Sequence, residues 1–118
     1  MKRILCALIL SLVLISVGAS AQTRTSAMSS GVKTSDTAIA TGRSLLTGIL
    51  LLTDGTNNAS IIIYDAASAT GTVLFKLAVP GAGNFGGATF EIPIRAQIGI
   101  YADVTGTGAS YIIYYDKQ

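Results

Sequence analysis

From Arg43 to the C-terminus, short runs of apolar residues alternate with turns rich in Gly, Asn and Asp. The runs are rich in Ile, Val, Tyr and Phe, which are the β-branched and aromatic residues that favour strands. No stretch of ten or more residues after position 22 shows the 3.6-residue apolar period of an amphipathic helix. The pattern therefore predicts an all-β domain with antiparallel sheets, because parallel strands would need crossover helices.

Six runs are strand candidates, and their side-chain alternation predicts which residues face the core. These runs are residues 44–53, 59–65, 72–79, 89–95, 97–105 and 109–116. The second run is apolar on both faces, which predicts a central strand. Two-residue alternation directs Phe90, Ile92 and Ile94 inward. It also places each of two further sets of apolar side chains on one face: Val73, Phe75, Leu77 and Val79 in the third run, and Ile98, Ile100, Ala102 and Val104 in the fifth. Pro93 has no backbone N–H to donate, so we expect an edge strand or a bulge there.

The segments between these runs predict turns. Residues 54–58, DGTNN, indicate a hairpin turn, because Asp-Gly and Asn tolerate the positive φ angles that hairpins need. Residues 66–71 and 106–108 predict further turns. Residues 80–87, PGAGNFGG, predict a long and mobile glycine-rich loop. A phosphate-binding loop is disfavoured there, because no Gly-Lys-Ser/Thr follows and no helix begins.

The N-terminus reads as a secretory signal peptide. Two basic residues precede an apolar run of 14 residues, 4–17. Ala19 and Ala21 then give the small-x-small pattern that signal peptidase accepts. The run is shorter than the roughly 20 apolar residues of a membrane-spanning helix. We therefore predict a cleaved signal helix over residues 1–21, with an uncleaved short anchor as the alternative.

Cleavage after Ala21 leaves one small domain whose charges balance. We expect residues 22–42 to form a flexible Ser/Thr-rich arm or a weak first strand. Residues 43–118 are expected to form an antiparallel β-sandwich or jelly-roll-like domain of six to eight strands. Of the 8 Lys and Arg residues, two lie in the predicted signal peptide, which leaves six against 6 Asp and Glu. A net charge of zero gives no case for nucleic acid and does not oppose self-association.

The residue types that remain also limit catalysis. Cys6 is the only cysteine and lies in the predicted signal peptide, and the chain has no histidine. Ser-His and Cys-His nucleophile systems and the usual zinc sites are therefore excluded from the mature domain. An enzyme would need a pair of carboxylates, with Glu91 about 5 to 10 Å from an Asp in a cleft. We predict no catalytic residue, no cofactor and no enzymatic activity.

Four residues with side-chain oxygens are the candidates for holding a cation: Asp54, Asn57, Asp65 and Asp103. Carboxylate and amide oxygens are the ligands that Ca²⁺ uses. The segment lacks the 12-residue spacing and the final Glu of an EF-hand loop. Turn chemistry explains residues 54–58 without a metal, so no metal site is predicted.

Three outward-facing residues are the candidates for a protein interface: Tyr101, Ile112 and Tyr114. Tyr101 alternates with apolar neighbours that face the core. If Tyr111, Ile113 and Tyr115 face the core, Ile112 and Tyr114 face outward. A last strand that is apolar on both faces predicts either a covering partner or burial within one chain.

The order of these motifs resembles a known group of proteins. The motifs are residues 46–50 (LTGIL), 53–57 (TDGTN), 63–65 (IYD), 71–72 (GT), 90–94 (FEIPI), 99–108 (GIYADVTGTG) and 111–115 (YIIYY). They resemble small β-sandwich proteins encoded in the structural regions of tailed phages and prophages. The resemblance covers about residues 43–116, carries over no functional residue, and implies repeated copies on a virion.

Two functional hypotheses follow. The first is a non-enzymatic structural or surface protein that works by self-association or within a larger protein assembly, in the virion if the resemblance holds. The alternative is a secreted or periplasmic β-module that binds a cation or a glycan. In both, the signal peptide predicts export to the periplasm, the cell surface or the medium, with membrane contact only during export.

Overall fold

A computed structural model describes residues 27–118, and the predicted signal peptide lies outside them. The described chain is built from eight strands and one short 3₁₀ helix. The strands are β1 (Met28–Ser29), β2 (Thr37–Thr41), β3 (Ser44–Leu52), β4 (Ala59–Asp65), β5 (Thr72–Val79), β6 (Phe85–Ala96), β7 (Gly99–Thr105) and β8 (Ser110–Lys117). Within residues 27–118, no helix is long and apolar enough to cross a membrane.

The strands form two antiparallel sheets of four. Sheet 1 has the order β1-β8-β3-β6, and sheet 2 has the order β2-β7-β4-β5. Every connection crosses from one sheet to the other except the turn between β4 and β5, whose strands are neighbours in sheet 2. The all-β, antiparallel prediction is confirmed, and the two sheets are compatible with a sandwich.

The core lies between the sheets and follows the two-residue alternation of the strands. On β4 and β7 the inward residues are isoleucines and alanines, and on β3 and β8 they are leucines, isoleucines and tyrosines. Residues with at most 1% of their surface exposed include Leu46, Leu51, Ile61, Ile63, Ile100, Ala102, Tyr111 and Ile113. Full burial of one such aliphatic side chain stabilises the fold by about 1.5 to 3 kcal/mol. β4 pairs with both β5 and β7, so its predicted central position is confirmed.

The hairpin predicted at residues 54–58 is wrong. β3 belongs to sheet 1 and β4 to sheet 2, so these strands do not pair and the segment carries the chain across the sandwich. The local turn chemistry is present, since Gly55 has a φ of 86°. A turn residue fixes the backbone locally but does not decide whether the flanking strands pair.

Val73 is 41% exposed, whereas Phe75 and Leu77 pack against the core, so the prediction that Val73 shares their face is wrong. The pairing of β4 with β5 runs from Ile63 opposite Phe75 directly to Tyr64 opposite Val73. Leu74 is the extra residue of a bulge and packs against the core instead. One inserted residue inverts the faces beyond it, because side chains alternate with a period of two.

The predicted inward position of Ile92 is also wrong, because this residue is 87% exposed. Ile98 is 62% exposed while Ile100 is fully buried, so the prediction that they share a face is wrong as well. Between Thr89 and Ile94, β6 has four residues where β3 has only Thr47, so residues 90–93 bulge and carry Ile92 outward. Ile98 precedes β7 and lies in the connection from β6.

β6 is an edge strand of sheet 1, and its bulge contains Pro93, so the edge-or-bulge prediction is confirmed on both counts. The long loop predicted over residues 80–87 is wrong for its second half, because β6 begins at Phe85. Its first half contains the 3₁₀ helix, Gly81–Gly83. Thr53 Oγ1 donates a hydrogen bond to the Gly81 carbonyl at 3.0 Å, which fastens this segment to the end of β3.

Candidate interaction surfaces

The outer side of sheet 1 carries a second apolar layer. In the strand register, Leu50 lies between Gly87 on β6 and Ile112 on β8. Leu52, on the same side of β3, lies opposite Phe85. Because directly opposed residues of paired strands share a face, these side chains form one surface. We call it the apolar face and define it as Leu50, Leu52, Phe85, Ile112 and Tyr114.

Two members of the apolar face are well exposed to solvent. Phe85 is 67% exposed and Tyr114 is 39% exposed, while the other three are half-buried by their neighbours. Tyr111 and Ile113 are fully buried on the opposite side of β8. The predicted outward orientation of Ile112 and Tyr114 is therefore confirmed.

A glycine lies beneath Tyr114. Gly48 is its partner across β3 and β8, and a Cβ at Gly48 would lie 3.5 Å from Cδ2 of the tyrosine ring. The same Cβ would lie 3.3 Å from the Ala88 carbonyl oxygen. The ring therefore packs over the backbone of β3, and a larger residue at position 48 would lift it.

Tyr101, the third interface candidate, lies on the other side of the molecule. Its neighbours Ile100 and Ala102 are fully buried, so Tyr101 points outward from sheet 2, where Tyr64 is its partner on β4. On the same outer side, Ile62 lies between Lys76 and Asp103. The structure thus separates Tyr101 from Ile112 and Tyr114.

Asp54, the first cation candidate, is engaged by its own turn. Its Oδ1 accepts hydrogen bonds from the backbone N–H groups of Thr56 at 2.9 Å and Asn57 at 2.7 Å. Its Oδ2 accepts one from the Asn57 side-chain amide at 2.7 Å. The backbone bond from Asn57, followed by that from Thr56, lowers the pKa of Asp54 below its usual value. Asp54 and Asn57 therefore come together as a turn that stabilises itself.

Asp65 is engaged by a connection that is distant in sequence. Its carboxylate accepts backbone hydrogen bonds from Gln97 at 3.0 Å, Ile98 at 2.7 Å and Gly99 at 3.2 Å. Desolvation raises the pKa of Asp65, but the three donors outweigh it and the pKa is lowered overall. The carboxylate anchors the turn from β6 into β7, and we call this contact the Asp65 latch.

The four cation candidates do not converge. Asp54 and Asn57 precede β4 while Asp65 ends it, and six residue steps of extended strand separate these ends by about 20 Å. Asp103 lies on β7 opposite Ile62, between the two ends. Among residues 27–118, no three His, Cys, Asp or Glu side chains come together in a way that would hold a metal ion.

A groove of about 440 Å³ opens at one end of sheet 2. Small and weakly polar residues line it: Asn58, Ala59, Ser60, Ala78, Val79, Pro80 and Thr105. No titratable side chain is among them. Glu91, the residue on which a carboxylate mechanism would depend, is exposed in the bulge of β6 and does not line this groove.

Sequence reasoning missed three members of the apolar face. Leu50 and Leu52 belong to a run of apolar residues, 49–52, that puts leucines on both faces of β3. That run is the feature of the sequence that indicates an apolar outer side of β3. Phe85 had no such signal, because the surrounding glycines predicted a loop.

Comparison of the chain with protein-family models, curated proteins and solved structures finds no match.

Proposed function

We propose that the mature domain is a non-enzymatic structural protein that works by assembly, with the apolar face as its contact surface. The observation that carries this proposal is the second apolar layer on sheet 1, which includes an aromatic ring that is 67% exposed. Contiguous apolar patches on a soluble domain mark sites of protein contact. Tyrosine and phenylalanine are also enriched at the centres of such contacts.

The charge pattern supports a protein partner. None of the five residues of the apolar face is charged, and the sequence after the predicted signal peptide is neutral. Nucleic acids and anionic membranes are bound through Lys and Arg, which this face lacks. The proposal includes export through the predicted signal peptide, residues 1–21. The proposed assembly then forms outside the cytoplasm.

The order of the strands supports a more specific fold proposal. A jelly roll winds eight strands into two four-stranded sheets by two Greek keys. Sheet orders of 1-8-3-6 and 2-7-4-5, with one in-sheet turn, fit such a winding. Jelly rolls form viral capsid domains, which is consistent with the resemblance to phage structural proteins. We therefore retain a virion component as the most specific version of the proposal.

One observation favours a second candidate function, a ligand-binding module. Tyr64 and Tyr101 are direct cross-strand partners on the outer side of sheet 2, and Asp103 lies two residues along the same strand. Aromatic rings that present an apolar body and a hydroxyl, beside a carboxylate, suit a sugar. Calorimetry with a glycan panel and with Ca²⁺ tests this candidate. Binding that Tyr101→Ala abolishes supports it, and no heat with either probe refutes it.

The main proposal is tested with residues 22–118 and two matched variants. Ile112→Lys places a charge on the apolar face, and Ile62→Lys places one on the outer side of the opposite sheet, also on a strand with two neighbours. We expect self-association of the wild type, its weakening in Ile112→Lys and its retention in Ile62→Lys. Circular dichroism checks that both variants fold. A strict monomer that binds neither particle nor envelope material would contradict the proposal.

A further inference from the structure

The four edge strands of the two sheets, β1, β6, β2 and β5, differ in how they are protected from pairing with other chains. β1 has only two residues. β2 has an irregular register between Ala38 and Ala40, and β5 has the bulge at Leu74 and carries Lys76. Short strands, bulges and lysines are the features by which sheet edges avoid pairing with other chains. Three of the four edges are therefore blunted.

The first half of β6 has none of these protections. Residues 85–89 pair with β3 in an uninterrupted register, from Phe85 opposite Leu52 to Thr89 opposite Gly48. The segment contains no charged residue and no proline. Within residues 27–118, β3 is the only strand that pairs with β6, so the other side of the segment is free. A strand with one free side offers a row of N–H and C=O groups to an added strand.

Residues 85–89, which pair with β3 on one side only, are bounded at both ends by a change in the backbone. On its N-terminal side Asn84 adopts a φ of 63°, which ends the extended backbone. On its C-terminal side the bulge of residues 90–93, with Pro93 in it, breaks the register. An added strand therefore has five residues to pair with, and Gly87 is the central one.

We infer that two copies of this chain join through residues 85–89 of β6, paired antiparallel about a twofold axis at Gly87. This inference rests on the proposed function, which is assembly through sheet 1, because it names a second copy of the chain as the partner that sheet 1 binds. An antiparallel edge is complementary to itself, since each copy offers the donors and acceptors that the other needs. A second copy fits better than a charged partner, because the segment carries no charge for such a partner to match.

The side chains support this register. With Gly87 at the centre, Phe85 lies opposite Thr89 of the second copy and diagonal to its Gly87. Diagonal neighbours across a strand pair are within reach of an aromatic ring. Gly87 has no side chain, so the exposed ring of Phe85 can cover the backbone of the second copy. The apolar faces of the two copies then become one continuous surface, with Phe85 at the junction and Leu52 one strand further in.

The contact is small, so we expect weak association that depends on concentration. Five paired residues and one ring per copy place it in the class of small, transient interfaces, below about 1,200 Å². We expect Phe85→Lys to weaken association by at least about tenfold, because it removes the ring that covers Gly87 of the second copy and places a charge in an apolar contact. Ile92→Lys is the matched control, since Ile92 is more exposed and lies in the bulge of the same strand.

The register is tested by cysteine pairing, which is possible because the predicted mature chain has no cysteine of its own. Phe85→Cys and Thr89→Cys are made separately in residues 22–118, mixed, and oxidised. Opposed residues are about 4.5 to 5.5 Å apart between Cα atoms, within disulfide range. Position 85 of one copy is offset from position 85 of the other by four residues, or about 13 Å, which is too far.

We expect a disulfide between the two different variants when they are mixed, in excess over either self-pair by a factor on the order of ten. Ile92→Cys mixed with Thr89→Cys is the control and should give no such excess. If the wild type associates but the mixture shows no excess, the edge inference is wrong and the proposed function survives. If the wild type is a strict monomer, both are wrong.

Discussion

The Asp65 latch allows the most quantitative prediction. Its carboxylate, at the end of β4, accepts three backbone hydrogen bonds from residues 97–99, where the chain enters β7. Asp65→Ala removes all three acceptors at once. The donor at Gly99 is partly buried, so it loses a partner that water replaces only in part.

The expected cost follows from the number and exposure of these bonds. A hydrogen bond to a charged group contributes about 1.5 to 3 kcal/mol. The donors at Gln97 and Ile98 are exposed and can turn to water, so the contributions do not add fully. We expect Asp65→Ala to lower the free energy of unfolding by about 2 to 3 kcal/mol near neutral pH. For a domain of this size, that corresponds to a fall in Tm of about 10 to 20 °C.

The lowered pKa of Asp65 adds a pH signature. A carboxyl group whose pKa in the folded state is below its usual 3.8 stabilises the fold above that pH. The stabilisation is lost as the pH falls below 3.8 through the folded-state pKa. The difference in unfolding free energy between wild type and Asp65→Asn should therefore be constant near neutral pH and shrink in this acid range.

Urea unfolding of residues 22–118 at neutral pH and at several acidic pH values measures both effects. Asp103→Ala is the matched control, because Asp103 lies mid-strand on β7 and takes no part in the Asp65 latch. We expect the control to change stability by less than about 0.5 kcal/mol. The reasoning is refuted if Asp65→Ala matches the control, or if the difference between wild type and Asp65→Asn does not shrink in acid.

Three further predictions concern the packing. Gly81→Ala should destabilise by about 1 to 3 kcal/mol in thermal melts, because its Cβ would meet the Thr56 carbonyl, whereas Gly83→Ala, with only ordinary contacts, should be nearly neutral. Tyr111→Phe should cost about 1 kcal/mol, because the hydroxyl donates to a backbone carbonyl at 2.8 Å. Burial raises the pKa of Tyr111, so the wild type should lose stability faster than this variant as the pH rises above 10.0. Ile92→Ser should leave the Tm within a few degrees of the wild type, because the side chain is 87% exposed.

The sequence predicts the strands well and their pairing poorly. Alternation correctly orients Tyr111 and Ile113 inward and Tyr114 outward, because β8 is regular. The same rule fails at Val73 and Ile92, where bulges insert residues that alternation does not count. A bulge arises from the fit between two strands, so neither strand shows it alone.

The candidate surfaces could be predicted only in part for a similar reason. Asp65 and its donors are separated by 32 to 34 residues, so nothing local in the sequence distinguishes the latch from a possible cation ligand. The apolar face combines residues of β3, β6 and β8, which become neighbours only through the strand order of sheet 1. Phe85 lies among glycines that predict a loop, although they extend β6 along β3.

The central claim, that this domain works by assembly through sheet 1, is tested most directly by its mass in solution. Sedimentation velocity of residues 22–118 from about 10 µM to about 1 mM covers the range in which a weak interface becomes populated. We predict that the weight-average mass rises with concentration above that of one chain, and that Ile112→Lys, which charges the apolar face, reduces the rise. A single monomeric species at every concentration would contradict the account.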